Sequence, residues 1–309
     1  MMLLNIVDEI SSLESLVVGI ANSNGGIPEL KDVYDPKSRS HVLSGTYPLE
    51  SDMVNELDCF VSILTSYGIN VHRPDLIKNY NQIYTRDIGF VVENKFFKSN
   101  ILPIRSREID ALKNILNSFD PELIIAFPKD AHIEGGDVVL HKNKIYIGAY
   151  IGSDYPKYIT ARTNLEGLKF LENYFPKKKV VLLELNKSNT DPKKNVLHLD
   201  CCFQPIGKTS AIIHKEGFSN KDQLLTLIDD FGIENCFFIN SNEMFDMMSN
   251  VFSINKNTVV SDSSFIRLNK WLIKKKFKVE KVSFREIAKQ EGLFRCVTLP
   301  LSRKNEQIN

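Results

Sequence analysis

No apolar run in this chain approaches the roughly 20 residues that a membrane-crossing helix needs, so no span is expected. A basic start is missing too, and Asp8 and Glu9 interrupt the first apolar stretch, which argues against an ordinary secretory signal. Cysteine is sparse. Five residues, an odd count without tight spacing, do not make a disulfide framework and favour a reducing compartment. Charge of one sign is absent as well: 39 basic against 38 acidic side chains leave a net charge of +1. Such balance speaks against nucleic acid or an anionic membrane as the main partner. The expectation is a cytoplasmic, soluble protein. No low-complexity linker interrupts the 309 residues, and no residue-level repeat is visible, so one domain spanning 1–309 is expected, with 1–45 as an atypical N-terminal segment.

What is present is an ordinary globular composition, 43% hydrophobic and 25% charged, arranged as alternating helix-like and strand-like segments. "ESDMVNELDCFVSIL" sets Met53, Val54, Leu57, Phe60, Val61 and Leu64 on one stripe at helical spacing, and Gly68 stops it before the strand "INVHRP". "REIDALKNILNSF", "TNLEGLKFLENYF", "KDQLLTLIDDFG" and "SSFIRLNKWLIKKK" predict further helices, followed by strands such as "KVVLLEL" and "ENCFFIN". Hairpins are predicted with turns at Glu93-Asn94 and Lys142-Asn143. The runs Lys177–Lys179 and Lys274–Lys276 read as solvated helix ends. The fold class is α/β with a hairpin-helix-strand rhythm.

Four polar knots interrupt the apolar pattern. "VLHLDCCF" carries His198, Asp200, Cys201 and Cys202; read as a strand, it sets His198 and Asp200 on one face, roughly 7 Å apart. Its apolar flanks imply burial, where a polar pair needs a reason. The two cysteines read equally well as small core fillers. In "AHIEGGDVVL", Glu134 and Asp137 bracket two glycines that permit close approach of another group. "IYTRDIGFVV" places Arg86 and Asp87 between apolar residues, with a surface ion pair as the plain alternative. "EGLFRCVTLPLSR" sets Cys296 beside Arg295, a setting that favours a thiolate. A metal site built from His198, Asp200, Glu134 and Asp137 has one histidine and no close ligand spacing, which makes it the weaker option. A planar guanidinium suits the carboxylates better, since its paired N–H groups match them in geometry and charge.

Taken together, "TRD", "IEGGDV", "RTN", "HLD" and "RCVTLPL", in this order across residues 85–303, resemble the guanidino-group-modifying superfamily of pentein-fold enzymes, the arginine deiminases and amidinotransferases among them. The resemblance implies a pentein α/β propeller, a pseudo-fivefold barrel of hairpin-helix-strand units around a central channel. It also implies Cys296 as nucleophile, His198 as general acid and base, and Glu134 as the carboxylate that orients the histidine or the substrate group. Asp87 and Asp200 would clamp the guanidinium, with Asp137 beside Glu134 also among the substrate-binding groups. Arg162 would grip a substrate α-carboxylate, helped by Arg105 or Arg107. Cys201 and Cys202 match no catalytic position.

The implied activity is cysteine-dependent hydrolysis of a guanidino compound, arginine or a close derivative, through a covalent amidino-thioether on Cys296. No metal and no organic cofactor is required. Amidino transfer to an acceptor amine is the alternative, and a catalytically silent binding protein or a metalloenzyme are the readings outside this chemistry. The expected partner is a small guanidino molecule, with neither nucleic acid nor membrane; a homodimer is left open. Asp200 argues against the dimethylarginine hydrolases, which generally lack it. Glu291 stands ahead of Cys296 where the deiminases place a carboxylate-binding arginine, and its charge would repel an α-carboxylate.

Overall fold

The computed structural model describes residues 2–304. Their strands form five three-stranded sheets, each of which joins one antiparallel pair to one parallel strand. The first contains β1 (Leu13–Val18), which leads through α1 (Pro36–Leu43) and α2 (Glu50–Ser66) to its parallel partner β2 (Asn70–His72). The second pairs β3 (Gly89–Val92) with β4 (Lys95–Lys98), then runs through α3 (Lys113–Leu116) to β5 (Ile124–Ala126). The third has β6 (Val138–His141), β7 (Lys144–Ala149), α4 (Leu165–Tyr174) and β8 (Lys179–Glu184). The fourth has β9 (Phe203–Ile206), β10 (Ser210–Ile213), α5 (Lys221–Phe231) and β11 (Cys236–Phe238).

After α6 (Ser241–Phe245) come β12 (Phe252–Asn255), β13 (Thr258–Asp262), α7 (Ile266–Lys274) and β14 (Lys278–Val282), the fifth sheet. The last strand, β15 (Thr298–Arg303), returns to pair antiparallel with β1. The two ends of the chain therefore complete one unit between them. A parallel third strand requires a crossover, which is why each hairpin is followed by helical chain before the sheet is finished.

The predicted hairpins turn where expected, with Glu93 and Lys142 both at φ 54, and Gly68 at φ 72 ends α2. Three expectations are corrected. "VLHLDCCF" is not a strand: His198 precedes a 3-10 turn over Leu199–Cys201, and β9 begins only at Phe203. The Cys201 and Cys202 amides donate back to the carbonyls of His198 and Leu199, both at 3.0 Å, which prevents ladder pairing. The helix predicted over "REIDALKNILNSF" is largely a 3-10 run, Pro103–Leu112, closed by the single turn of α3. Lys177–Lys179 do not close a helix, because α4 stops at Tyr174 and Lys179 already opens β8.

The α2 stripe packs as its spacing predicts, with Met53, Leu57, Phe60 and Leu64 buried and Val54 and Val61 partly so. Phe60 makes edge contacts with Phe252, Phe284 and Phe294 at ring-centre distances of 6.1, 5.9 and 5.3 Å. Phe294 is two residues before Cys296, so this aromatic knot fixes the loop that carries the thiol. Phe60→Ala should cost about 3–5 kcal/mol in denaturant unfolding, as large aromatic truncations in cores do. It should also lower thiol reactivity at residue 296, measured by alkylation rate.

Candidate active site

The polar knots fall at one recurrent position, the turn just ahead of each hairpin or of the closing strand. Asp87 precedes β3, Glu134 precedes β6, His198 and Asp200 precede β9, Asn250 precedes β12 and Cys296 precedes β15. All are buried. Contacts bind these separate turns into one cluster.

His198 is its hinge. Its Nε2 lies 2.8 Å from Glu134 Oε2, and its Nδ1 lies 3.7 Å from Asp87 Oδ1. The ring rests against the backbone at Gly136, where an added Cβ would come within 2.7 Å of it. Gly136 thus admits the imidazole, while Gly135 lies against the Arg86 carbonyl. Burial alone would strip the His198 proton, but Asp87 and the hydrogen bond to Glu134 outweigh it and raise the pKa to about 9. Burial alone would raise Glu134, yet the Arg162 charge and His198 bring it down to about 2. The resting pair is therefore imidazolium and carboxylate.

Asp87 is held on one side only. Arg105 donates to its Oδ2 at 2.8 Å, while Oδ1 is buried without a hydrogen-bond partner. Arg105 is itself anchored by Glu108 through Nε at 2.6 Å and a second nitrogen at 2.9 Å. The surface ion pair between Arg86 and Asp87 is not formed. Both are buried, and Arg86 donates instead to the Arg295 carbonyl and to Thr298, at 3.3 Å each.

Asp200 accepts from Arg295 at 2.8 Å, and Arg295 also binds Glu9 at 2.9 Å. Cys296 Sγ lies 3.8 Å from both Asp200 oxygens. Burial pushes the Cys296 thiol well above its ordinary value, with Asp200 and Asp87 adding to the effect. Arg295 does favour the thiolate, as expected, but burial and the two aspartates outweigh it. Cys201 and Cys202 are buried fillers whose thiols are also raised by burial.

Asp137 accepts from the Leu199 amide at 2.8 Å and so shapes the turn beside His198, instead of reaching the cleft. Arg162 contacts Glu134 at 3.4 Å and donates to the carbonyls of Ile159 and Tyr34 at 2.7 and 3.0 Å. Arg107 sits over the Tyr80 ring at 5.3 Å. Neither Arg162 nor Arg107 lines the cleft described next.

That cleft is open to solvent, and Asp87, His198 and Cys296 share its lining. Residues from 1–45 contribute as well, Tyr34 and Asp35 among them, so this segment forms part of the wall. Glu134 and Asp200 stand behind the lining residues. Asp87, Glu134 and His198 also present three potential metal-ligand atoms within 4.8 Å of one another. A dication fits poorly there, since Arg105 and Arg162 already supply positive charge and a protonated His198 has no free lone pair.

Asn250 was missed in the sequence. Its Oδ1 accepts from the amides of Arg295 and Cys296 at 2.9 and 3.2 Å, and its Nδ2 donates to Cys296 Sγ at 3.1 Å. The signal available was positional: a polar residue two places before a hairpin strand, as Asp87 is before β3. Asn250→Ala should displace the loop that carries Cys296 and slow alkylation of its thiol by roughly tenfold or more. Asn250→Asp keeps the acceptor but sets a negative charge against the sulfur, so the pH midpoint of alkylation should rise.

A family model described as "N,N dimethylarginine dimethylhydrolase, eukaryotic" matches residues 46–303. The uncharacterized protein YkgA of Bacillus subtilis (strain 168) is 31% identical over 227 residues, which cover 72% of this chain and 70% of that protein. Among solved structures, SxtG, an amidinotransferase from Microseira wollei in the saxitoxin biosynthetic pathway, aligns at a TM-score of 0.77 and 17% identity over 99% of both chains. The N-terminal domain of ArgZ, an arginine dihydrolase from the ornithine-ammonia cycle in cyanobacteria, aligns at 0.77 and 16%, over 94% of this chain and 98% of that one. These neighbours establish the pentein fold. The family match overturns the expectation, drawn from Asp200, that the chain stands apart from the dimethylarginine hydrolases. No helix among the described residues is long and apolar enough to cross a membrane.

Proposed function

Because the chain belongs to the N,N dimethylarginine dimethylhydrolase family within the guanidino-modifying pentein enzymes, we propose that it is a cysteine-dependent hydrolase of a guanidino compound, acting on C–N bonds as deiminases do. The five units then close as propeller blades around the cleft. One observation carries the reading: Asp87, whose Oδ1 lacks a hydrogen bond, lines a single cleft with His198 and Cys296. A buried carboxylate oxygen without a donor suits an incoming guanidinium N–H.

The reaction follows from these protonation states. A guanidinium seated against Asp87 brings positive charge beside Cys296, lowering the thiol pKa and releasing its proton to solvent. The thiolate attacks the guanidinium carbon, and an S–C bond forms. His198 gives its proton to the leaving nitrogen as the C–N bond breaks, and ammonia or an amine departs. The product of this half is a cationic amidino-thioether with a neutral imidazole. His198 then takes a proton from water as the water oxygen bonds to the same carbon. Collapse breaks the C–S bond, returns the thiol and leaves a urea-type product. Glu134 keeps the ring in register through both halves. An acceptor amine in place of water would make the same site an amidinotransferase, the reading favoured by the likeness to SxtG.

Mass spectrometry of the protein mixed with guanidines should reveal an amidino adduct on Cys296, and Cys296→Ser should abolish both adduct and turnover. Retained turnover in that variant would end the assignment, and product formed only when an acceptor amine is added would favour transfer.

The pH dependence has a definite sign. The proton on His198 is held until pH rises through about 9, against an ordinary value of 6.5. Turnover should fall as pH rises through about 9, because the acid is then lost. The stabilisation from the pairing of His198 with Glu134 and Asp87 is full below 6.5 and lost on rising through about 9. Thermal melts of the wild-type protein and His198→Gln across this range should converge at the alkaline end.

A further inference from the structure

His198 is approached by a stretch of chain that belongs to no strand. Val196 and Leu197 are buried and lie outside every ladder, so their carbonyls need a donor from elsewhere. One side chain supplies both. Lys187 Nζ donates to the Val196 carbonyl at 2.7 Å and to the Leu197 carbonyl at 2.8 Å. Lys187 follows β8, and its neighbours run along the same stretch. The Asn186 carbonyl accepts from the Val196 amide at 3.0 Å, and the Ser188 amide donates to Asn195 Oδ1 at 3.1 Å.

On the other side of His198 the Leu199 amide is taken by Asp137 at 2.8 Å. The peptide groups before and after the imidazole are therefore held by a cation and by an anion. Each charge is withdrawn from water, and each offsets part of that cost in the other. Burial lowers the Lys187 pKa while Asp137 works against it; burial raises Asp137 while His198 and Lys187 work against that. With three N–H donors, the ammonium serves both carbonyls at once. Lys187 does not line the cleft, whereas Leu197 and His198 both do. Its effect on the chemistry must pass through the backbone that carries them.

Resting on the guanidino-hydrolase reading, we propose that Lys187 is a positioning residue for the reaction, fixing through the Val196 and Leu197 carbonyls where the His198 ring stands. His198 must reach the leaving nitrogen in one half of the reaction and water in the other, at the one carbon bound to Cys296. Displacing such a group by about 1 Å costs about 100-fold in rate. Glu134 orients the ring at its tip, and Lys187 holds the backbone from which it projects. Cys296 is placed separately, by Asn250.

Lys187→Met keeps the stem and removes the ammonium, while Lys187→Arg keeps a cationic donor. With arginine, N,N-dimethylarginine and guanidinobutanoate as probes, the Met variant should lose roughly 10- to 100-fold in kcat. KM should stay within about twofold of wild type, because the Asp87 side of the cleft is untouched. Iodoacetamide should alkylate Cys296 at an unchanged rate, and the Arg variant should recover most of the kcat. NMR titration of His198 needs no substrate. Its midpoint near 9, set by Asp87, Glu134 and Asp137, should fall toward 6.5 in the Met variant as the ring leaves Glu134. A merely structural role would lower kcat and alkylation together and leave the midpoint in place. That result, or a Met variant with wild-type kcat and midpoint, overturns the proposal. Should Met prevent folding, Lys187→Gln, which keeps an N–H donor without the charge, is measured in its place against the same outcomes. No adduct on wild-type Cys296 with any guanidine removes the hydrolase reading, and the His198 titration then decides by itself whether Lys187 positions the ring.

Discussion

The interior of this protein must hold carboxylates that water no longer solvates, and the structure depends on how their charge is matched. Glu9, Asp87, Glu108, Glu134 and Asp200 are all buried, as are Arg105, Arg162, Arg295 and His198. A buried carboxylate without a cation costs several kcal/mol, so each is bound and each bond fixes a side-chain orientation. Arg295 joins Glu9 near the N-terminus to Asp200 in the middle of the chain. Arg105 ties Asp87 to Glu108. Among the described residues, two buried carboxylate oxygens lack a hydrogen bond, Asp87 Oδ1 and Asp137 Oδ2, and of these two residues only Asp87 lines the cleft.

The same network decides what each titrating group can do. Glu134 stays ionised because Arg162 and His198 face it, and His198 stays protonated because two carboxylates face it. Arg295, engaged by Glu9 and Asp200, lowers the Cys296 thiol too little to offset burial, which holds it neutral. A cation seated beside the sulfur would bring that pKa down.

Convergence of the site is a property of the repeated unit. In each sheet the functional group sits in the turn that enters the hairpin or the closing strand, where the backbone is not yet committed to a ladder. Five such turns, far apart in sequence, are joined by hydrogen bonds and ion pairs that run between them. The N-terminal segment adds what the repeat lacks. β1 completes the sheet that β15 would otherwise leave unpaired, Glu9 braces Arg295, and Tyr34 and Asp35 line the cleft. The family model begins after this segment, at residue 46, whereas Asp87, His198 and Cys296 lie within it.

Local order was written plainly in the residues. The α2 stripe, the stop at Gly68 and the two hairpin turns follow from periodicity and from backbone conformations that short-range chemistry dictates. The polar knots were visible because charge in an apolar setting is costly, and their order carried the family resemblance. Tertiary structure decided what distance in sequence conceals. Asn250 could not be singled out, since an asparagine in a turn is unremarkable until the thiol it bonds is brought 3.1 Å away. "VLHLDCCF" has the alternation of a strand, yet the Asp137 carboxylate binding the Leu199 amide fits it as a turn. Arg162 and Arg105 looked free to bind a ligand, and only folding shows the carboxylates that hold them. Residue types fix which charges exist; the fold alone determines which remain unpaired.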